Sequence, residues 1–297
     1  RDPDDGMAKW AYQTTPHDMH DFDGVNESVL VDLELGGRAR KVMLRPERNG
    51  FFYVIDRATG ELISADAYGP VTWATGIDLR TGRPILNAEM ETGNRLATGV
   101  CPASPGMKDW QPTAWSPRTR VLYIPHNHLC MDYQGVEANY IAGTPYVGAN
   151  VRMYSAAGRN DTTHRGTFTA WDPVARRKVW EIREKFPVWS GAVVTAGDVV
   201  FYGTMDRWFK AVDARTGQLL WQTQLGSGII GQPITYRGPD GRQYVAVLSG
   251  VGGWAGAAAL GVHPEQDPNI GLGFPIAVAD LPQHTPQGGM LHVFALP

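Results

Sequence analysis

The segment VDARTGQLLW (212–221) decides the fold, because variants of it recur along the chain. Each copy has an aspartate, with glycine four residues later in all but one, and in three copies a tryptophan follows eight residues after the aspartate. Strand-like residues precede the aspartate, so each copy predicts a strand, a tight turn with a left-handed glycine, and a second strand. The other copies are RDPDDGMAKW (1–10), IDRATGELI (55–63), IDLRTGRPI (77–85) and WDPVARRKVW (171–180), the last with Arg176 in place of glycine.

The spacing between the copies predicts a propeller. Successive aspartates are 54, 22, 94 and 41 residues apart, which fits a period of roughly 45 residues if 22 is a half-step and 94 contains a copy lost to drift. That period is typical of four-stranded propeller blades, so we predict an all-β propeller with roughly five to six blades in this chain. MLHVFAL (290–296) predicts a lone strand that completes a blade begun elsewhere. The chain begins inside a repeat, so we expect N-terminal blades to be missing from it.

The composition agrees with one large all-β domain and excludes several classes of protein. Of the 297 residues, 43% are hydrophobic and 19% charged, which is globular rather than disordered, and 35 glycines and 21 prolines favour short strands joined by turns. A net charge of −3 does not indicate the basic surface that binds nucleic acid. No apolar run has the roughly 18 residues that a membrane span needs. Cys101 and Cys130 either form one disulfide, which would indicate an oxidising compartment, or remain two buried thiols.

Carboxylates are concentrated in TPHDMHDFDGVNES (15–28). This stretch is either a solvated loop or a site where carboxylates face inward and hold a cation. In an extended chain, residues two apart point to the same side, so Asp21 and Asp23 can converge while Phe22 faces away. Two carboxylates that close repel each other unless a cation lies between them, and Ca²⁺ or a trivalent lanthanide prefers such oxygen ligands. His20 would lie opposite both aspartates and is a softer donor, so we interpret it as structural.

Several long segments, in order along nearly the whole chain, resemble the pyrroloquinoline quinone (PQQ)-dependent alcohol dehydrogenases, most closely the branch of lanthanide-dependent methanol dehydrogenases. The resemblance implies an eight-bladed propeller about twice as long as this chain. Residues 1–297 would then be the C-terminal portion of a single PQQ-dependent propeller domain. The segments are KWAYQTTPHDMHDFDGVNE (9–27), RPERNGFFYVIDRATGEL (45–62), NHLCMDY (127–133), WSGAVVTAGDVVFYGTMD (189–206), SGIIGQPITY (227–236) and YVAVLSGVGGWAG (244–256).

For the acidic stretch, the resemblance implies a metal site and a catalytic base. Asp21 would be the base and a metal ligand, and Asp23 would be an additional metal ligand. Calcium-type relatives carry a small residue at the second position, whereas the lanthanide type has aspartate at both. A lanthanide ion is therefore expected, with Ca²⁺ as the alternative. Arg48, in PERNG, matches an arginine beside the quinone oxygens, where it would stabilise the negative charge that develops on reduction.

The same resemblance implies further cofactor contacts and a disulfide. Asp109 and Trp189 match positions that contact the quinone, and Trp254 matches a position in the apolar wall of its pocket. Cys101 and Cys130 match a disulfide of the family, which would place the protein in the periplasm.

The implied activity is oxidation of a primary alcohol, with methanol as the expected substrate, to the aldehyde. Asp21 would remove the hydroxyl proton while hydride passes to PQQ, and the metal would polarise the quinone carbonyl. Electrons would leave to a soluble cytochrome c, which must be a separate protein because the chain has no C-x-x-C-H motif. The family usually has Glu-Trp where this chain has Met19-His20, and glutamine where Trp110 stands, so both differences would reshape the alcohol pocket.

Two alternatives remain open from the sequence. A non-catalytic propeller with the same repeats would be a periplasmic scaffold, although it has no need for Asp21, Asp23, Arg48 and the cysteine pair together. A calcium-type enzyme with a broader range of alcohols is the other alternative. The family's remaining metal ligands belong to the N-terminal half, so this chain alone is expected to be inactive, and we consider a homodimer as the assembly of the whole enzyme.

Overall fold

The computed structural model describes residues 1–143, 148–253, 255–256 and 270–296. Within these ranges strands predominate and helices are short, which confirms the all-β prediction. The helical segments are the 3-10 helices Ala88–Met90, Ile270–Gly273 and Leu281–Gln283, and the α-helix α1 (Phe274–Ala277). In the described part of the chain, no helix has the length and apolar character needed to cross a membrane.

Three four-stranded antiparallel sheets and one three-stranded sheet form the blades. The first blade contains β1 (Val29–Leu35), β2 (Arg38–Pro46), β3 (Phe51–Asp56) and β4 (Leu62–Ala67) in that order. The second contains β8 (Ala114–Ser116), β9 (Val121–Asn127), β12 (Gly166–Asp172) and β13 (Arg177–Glu184). The third contains β14 (Ala192–Val194), β15 (Val199–Gly203), β16 (Trp208–Asp213) and β17 (Leu219–Gln224), and the fourth contains β18 (Ile234–Arg237), β19 (Gln243–Ser249) and β20 (Met290–Ala295).

Two smaller sheets are inserted around the second blade. One pairs β5 (Ala74–Asp78) with β6 (Arg83–Leu86), and the other has the order β11-β10-β7, from β7 (Ala97–Val100), β10 (Leu129–Gly135) and β11 (Ala149–Ser155). A disulfide joins Cys101, directly after β7, to Cys130 in β10, which confirms the pairing that the resemblance implied.

Aromatic contacts join each blade to the next. The inner strands β3 and β9 are buried along their whole lengths, because both faces of each are covered and the usual alternation of buried and exposed residues is lost. One face of β3 packs on the second blade and the other on residues outside the blades, such as Trp73. The outer strands β13 and β17 are mostly exposed. Between successive blades the ring contacts are Phe52 with Trp171 (5.5 Å between centroids), Phe168 with Tyr202 (4.0 Å) and Phe209 with Phe294 (5.5 Å).

The repeated turn has the same geometry in every copy. Each of the four repeat glycines has a positive φ, and its N–H donates to the carbonyl of the repeat aspartate at 2.7–2.9 Å. Arg176 adopts the same left-handed conformation, with φ of 56°. Aspartate side chains support the turn by accepting backbone N–H groups two and three residues ahead, as at Asp56, Asp172 and Asp213. The hairpin prediction is therefore confirmed for the copies at 55–63, 77–85, 171–180 and 212–221, whereas the copy at 1–10 has the turn without flanking strands.

The repeat tryptophans join one repeat to the turn of a later one. Trp10 lies on Gly60 and donates its ring N–H to the carbonyl of Arg57 at 3.0 Å. Trp180 lies in the same way on Gly217 of the third blade and donates to Ala214 at 3.1 Å. A Cβ on either glycine would approach the indole to 2.8 Å, so only glycine allows this contact. At the second blade, where arginine replaces the glycine, an ion pair between Arg176 and Asp66 of β4 (2.7 Å) takes the place of the contact.

The blade count and the period differ from the prediction. The described residues form four blade sheets rather than five to six, because the copy at 77–85 is the two-stranded β5–β6 hairpin and not a blade. One blade step therefore runs from Asp56 to Asp172, with the inserted sheets inside it. The terminal strand β20 pairs antiparallel with β19 and is the third strand of the fourth blade.

Candidate active site

The acidic stretch is a loop that precedes β1, and its conformation is set by Asp18. The Asp18 carboxylate accepts the backbone N–H groups of His20 (2.9 Å) and Phe22 (2.5 Å). We predicted an extended chain here, and this was wrong at Asp21, whose φ of 66° is left-handed. Phe22 is nevertheless fully buried, while the carboxyl groups of Asp21 and Asp23 share a hydrogen bond. The two aspartates therefore converge on the side away from the core.

His20 is part of the protein core. It is 4% exposed, its ring stacks on Phe22 at 5.3 Å, and its Nε2 lies 2.9 Å from the carbonyl oxygen of Met90. Burial lowers its pKa, so the neutral ring is favoured. These contacts agree with the structural interpretation of this residue.

Arg48 lies between two carboxylates. Its Nη2 is 3.2 Å from Oδ2 of Asp21, and its Nη1 is 2.8 Å from Oδ2 of Asp109. Nε and Nη2 also donate to the carbonyl of Ser104, so the guanidinium is held at three places. The backbone of Gly106 passes so close that a Cβ there would lie 1.9 Å from Cγ of Arg48, and its φ of +76° also favours glycine. The position of this arginine thus depends on that glycine.

A cavity of about 190 Å³ opens in front of this arginine. Asp109 is 14% exposed, and its Oδ1 is buried without a hydrogen-bond partner among the described residues. Trp110 is 44% exposed and meets Trp189 edge-to-face at 5.3 Å. The cavity is lined by Asp21, Arg48, Ser104, Pro105, Asp109, Trp110, Gln111 and Trp189.

The indole of Trp189 is fixed from behind. Its ring N–H donates to Oδ1 of Asn127 at 2.7 Å, and Phe274 of α1 stacks on its face at 4.8 Å. The side-chain amide of Asn127 in turn donates to the carbonyl of Gly106. The aromatic wall of the cavity and the loop that holds Arg48 are therefore parts of one hydrogen-bonded network.

The electrostatics of the cavity favour a cation. Burial and the adjacent carboxyl of Asp23 raise the pKa of Asp21 to about 7, with Arg48 opposing the shift. Burial also raises the pKa of Asp109, again against the effect of Arg48. A bound cation would stabilise the ionised carboxylates, and an acceptor such as Oδ1 of Asp109 is ready to face a donor or an ion. Within the described ranges there is no cluster of three or more His, Cys, Asp or Glu residues that could hold a metal, so these residues offer part of a ligand set.

The sequence-predicted site residues divide into three groups. Asp21, Arg48, Asp109 and Trp189 line the same cavity, and Asp23 adjoins it through its contact with Asp21. Trp254 lies outside the described residues. Sequence reasoning missed the groups behind the cavity: Asn127 and Phe274 behind the indole, and the ion pair Glu27–Lys108.

A second, larger cavity of about 400 Å³ lies between the first and second blades. Three histidines line it, and two of them, His128 and His164, stack at 3.8 Å. His126 is fully buried in hydrogen bonds to Asn127 and Thr169. Its polar lining is thus largely engaged within the protein.

Comparison with known proteins gives a consistent set of relatives. A family profile described as "PQQ: Glucose/ethanol/alcohol dehydrogenase, beta-propeller domain" matches residues 2–72 and 162–245, more than half of the chain. The lanthanide-dependent methanol dehydrogenase of Methylacidiphilum fumariolicum (strain SolV) is 54% identical over 301 residues, which cover 100% of this chain and 49% of that protein. Methanol dehydrogenase (cytochrome c) subunit 1 of Paracoccus denitrificans is 41% identical over 302 residues, covering 100% and 47%.

A solved structure of a europium-containing methanol dehydrogenase has the same fold, with a TM-score of 0.95 at 53% identity. The match covers 100% of this chain and 52% of that one. This chain therefore spans about half the length of the curated relatives it matches.

Proposed function

The chain belongs to the PQQ-dependent alcohol dehydrogenases, and on that premise we propose that it is part of an enzyme that oxidises a primary alcohol, methanol first, to the aldehyde. The observation that carries the proposal is the cavity in which Arg48 lies between Asp21 and Asp109, beside Trp189. A fixed guanidinium and an aromatic wall are suited to a planar, negatively charged quinone. The description of the family profile supports PQQ as a cofactor, and the names of the relatives, a lanthanide-dependent and a europium-containing methanol dehydrogenase, support a lanthanide ion.

The residues present fit these cofactors. Asp21 and Asp23 would hold the metal ion, since hard cations take carboxylate oxygens and the second aspartate suits a trivalent charge. Arg48, Asp109 and Trp189 would hold the quinone, and we propose Trp254 as a further part of the pocket wall. When bound, the cofactors supply the electron acceptor and a Lewis acid.

Asp21 is the proposed base. Its carboxylate accepts the hydroxyl proton of the alcohol at an Oδ atom, which requires that it be ionised. Its pKa of about 7 reflects burial and the neighbouring Asp23, and a cation in contact would lower that pKa and keep the base ionised. The side chain is 40% exposed, so the proton can pass on to solvent.

Arg48 and the two tryptophans would act by position and charge. Because the guanidinium is held by Ser104 and Asp109, its positive charge stays at one point of the cavity wall without reorganisation during the reaction. Trp189 and Trp110 provide an apolar surface that excludes water from one side of the cavity. This arrangement orients an alcohol toward Asp21 rather than adding chemistry of its own.

Replacement of Asp23 tests the metal assignment. In the protein expressed from its complete gene, Asp23→Ala should lower lanthanide-supported alcohol oxidation by at least about ten-fold while Ca²⁺-supported activity is kept, because a trivalent ion loses a charged ligand. Terbium luminescence excited through the nearby tryptophans measures binding directly. The control is Asp4→Ala, an exposed aspartate in the first repeat turn. Unchanged preference for lanthanides in Asp23→Ala would contradict the assignment.

We further propose the acceptor and the compartment. The relative from Paracoccus denitrificans is named for cytochrome c, which supports a soluble cytochrome c as electron acceptor, and its reduction can be followed by absorbance. The Cys101–Cys130 disulfide supports an oxidising compartment, the periplasm. Residues 1–297 would be the C-terminal portion of one propeller domain, inactive alone, and a homodimer is the assembly we propose for the whole enzyme. A scaffold propeller would not need Asp21, Arg48 and Asp109 around one cavity, so we favour the enzyme.

A further inference from the structure

An ion pair between a fully buried lysine and a glutamate that is 30% exposed adjoins the residues of the cavity. The side chain of Lys108 is 0% exposed, and its Nζ lies 2.6 Å from Oε2 of Glu27. The same ammonium donates to the backbone carbonyl of Asp109 at 2.8 Å. The other oxygen of Glu27 accepts the backbone N–H (2.8 Å) and the hydroxyl (2.6 Å) of Thr113. Lys108, which does not line the cavity, therefore holds the backbone of the residue whose side chain pairs with Arg48.

The pair and the adjacent Asn26 together connect the three segments that carry the candidate site. Glu27 and its neighbour Asn26 end the acidic loop, and the Asn26 amide donates to the carbonyls of Pro46 (2.9 Å) and Lys108 (3.3 Å). Arg45 returns a hydrogen bond to the carbonyl of Asn26 at 2.6 Å. As a result the loop with Asp21, the turn with Arg48 and the segment with Asp109 are joined behind the cavity.

Stability alone does not account for such a pair. Removing the ammonium of Lys108 from water costs free energy that its attraction to the partly exposed Glu27 often only offsets, and an apolar side chain of similar volume would stabilise the fold as well or better. Burial does lower the pKa of Lys108, while Glu27 opposes that shift and favours the charged form. A role in fixing geometry explains the arrangement, since the ammonium bonds to the backbone of a cavity residue as well as to its partner.

We propose that Lys108, paired with Glu27, is a positioning residue for the cofactor site: it fixes the backbone at Asp109 so that the Asp109 carboxylate keeps Arg48 in place. This inference rests on the proposed function. Lys108 itself is too deeply buried to touch a substrate or a cofactor. Its effect should therefore be seen first in the affinity for PQQ, where a loss of position in the supporting residues typically costs about ten-fold or more.

The experiment compares three variants in the protein expressed from its complete gene: Lys108→Met, Glu27→Gln and the double variant. PQQ affinity is measured by quenching of tryptophan fluorescence, and stability by the midpoint of thermal unfolding. Lys108→Met should weaken PQQ binding about ten-fold and lower the midpoint, because the Asp109 carbonyl loses its donor and Glu27 loses its counter-charge. Glu27→Gln should lower the midpoint with less effect on affinity, since Lys108 can still bond to Asp109. The double variant should regain stability but not affinity.

A second buried pair provides the matched control. Lys210 and Glu184 lie 2.6 Å apart with side chains 15% and 7% exposed, in β16 and β13, away from the residues that line the candidate site. Lys210→Met should lower the midpoint and leave PQQ affinity unchanged. The inference is overturned if Lys108→Met behaves like Lys210→Met, or if the double variant recovers affinity together with stability. If the unmodified protein does not bind PQQ, the proposed function fails, which is a different result from variants that bind as the unmodified protein does.

Discussion

The two cavities described above differ in how far their polar groups are satisfied by bonds within the described residues. The larger, at about 400 Å³, is lined by groups that mostly bond within the protein: both ring nitrogens of His126 are engaged, Nε2 of His164 bonds to Thr167, and Lys178 pairs with Glu181, while His128 stacks on His164. The smaller, at about 190 Å³, has carboxylates on both sides of Arg48, and Oδ1 of Asp109 has no hydrogen bond of good geometry to the described residues. Size therefore favours the larger cavity as a binding site, whereas unsatisfied polar groups favour the smaller one.

The difference shows why the smaller cavity is the candidate site. A buried acceptor without a partner costs free energy, so a fold that retains one has another group to satisfy it. Asp21 and Asp23 likewise share a hydrogen bond that a cation would replace. In the larger cavity, bonds within the chain already engage both ring nitrogens of His126, Nε2 of His164 and the Lys178–Glu181 pair. Substitutions in the smaller cavity should therefore change activity, and substitutions in the larger cavity should change stability.

The largest expected effect is that of Asp21→Asn. If Asp21 is the base, kcat should fall by about 10³-fold, because a positioned base typically contributes factors of this order. The matched change in the larger cavity is Glu181→Gln, which removes a carboxylate that bonds to Lys178 and should leave kcat unchanged. Both variants are assayed in the protein expressed from its complete gene, with alcohol-dependent dye reduction as the measurement. Equal effects of the two substitutions would remove the distinction between the cavities.

The next effect is that of Gly106→Ala, which changes no polar group. A Cβ there would lie 1.9 Å from Cγ of Arg48 and 2.8 Å from its carbonyl oxygen, so the arginine must move. A displacement of about 1 Å in a positioned group can cost about 10²-fold in rate. Gly241→Ala is the control, because this glycine has nearly the same φ (+79°) but no atom within 4 Å of an added Cβ. Both variants bear the strain of a left-handed alanine, and only Gly106→Ala should lose activity beyond its loss of stability.

Local features of this fold were predictable from the sequence, and contacts between distant segments were not. The D-x-x-T-G turn is contained within five residues, so its hydrogen bond and its left-handed glycine can be inferred from a single copy of the motif. The hairpin at 77–85 has the same local pattern but lies in a two-stranded sheet, because the number of strands that pair with it depends on segments elsewhere. The local pattern therefore predicts the turn correctly but leads to the wrong number of blades.

The same limit applies to the candidate site. Asp21, Asp23 and Arg48 were found because they belong to recognisable motifs, although the left-handed backbone at Asp21 was not expected. Glu27 and Lys108 are separated by 81 residues in the sequence and belong to no repeat, so nothing local indicates that they form a buried pair. The residues that support a site are chosen by packing between segments, which a single sequence does not display.

The smallest expected effect is on stability and belongs to the larger cavity. Burial lowers the pKa of His126 to about 3, from an ordinary value of 6.5, so the unfolded chain binds a proton that the folded protein does not. Stability from this group is complete above pH 6.5 and is lost as the pH falls toward 3, by about 2 kcal/mol between pH 7 and pH 5. Chemical denaturation at both pH values should show this loss in the unmodified protein and a smaller one in His126→Gln.

The comparison with Gln is made on the pH slope and not on the stability itself, because the substitution also disturbs the hydrogen bonds to Asn127 and Thr169. His128 adds to the slope in both proteins, since burial and the adjacent His164 lower its pKa to about 4. Equal slopes in the two proteins would mean that His126 takes up a proton in the folded state as readily as in the unfolded chain, so the larger cavity would contain a charge at pH 5. In that case the difference between the two cavities would be one of degree, and the larger one would have to be treated as a second candidate site.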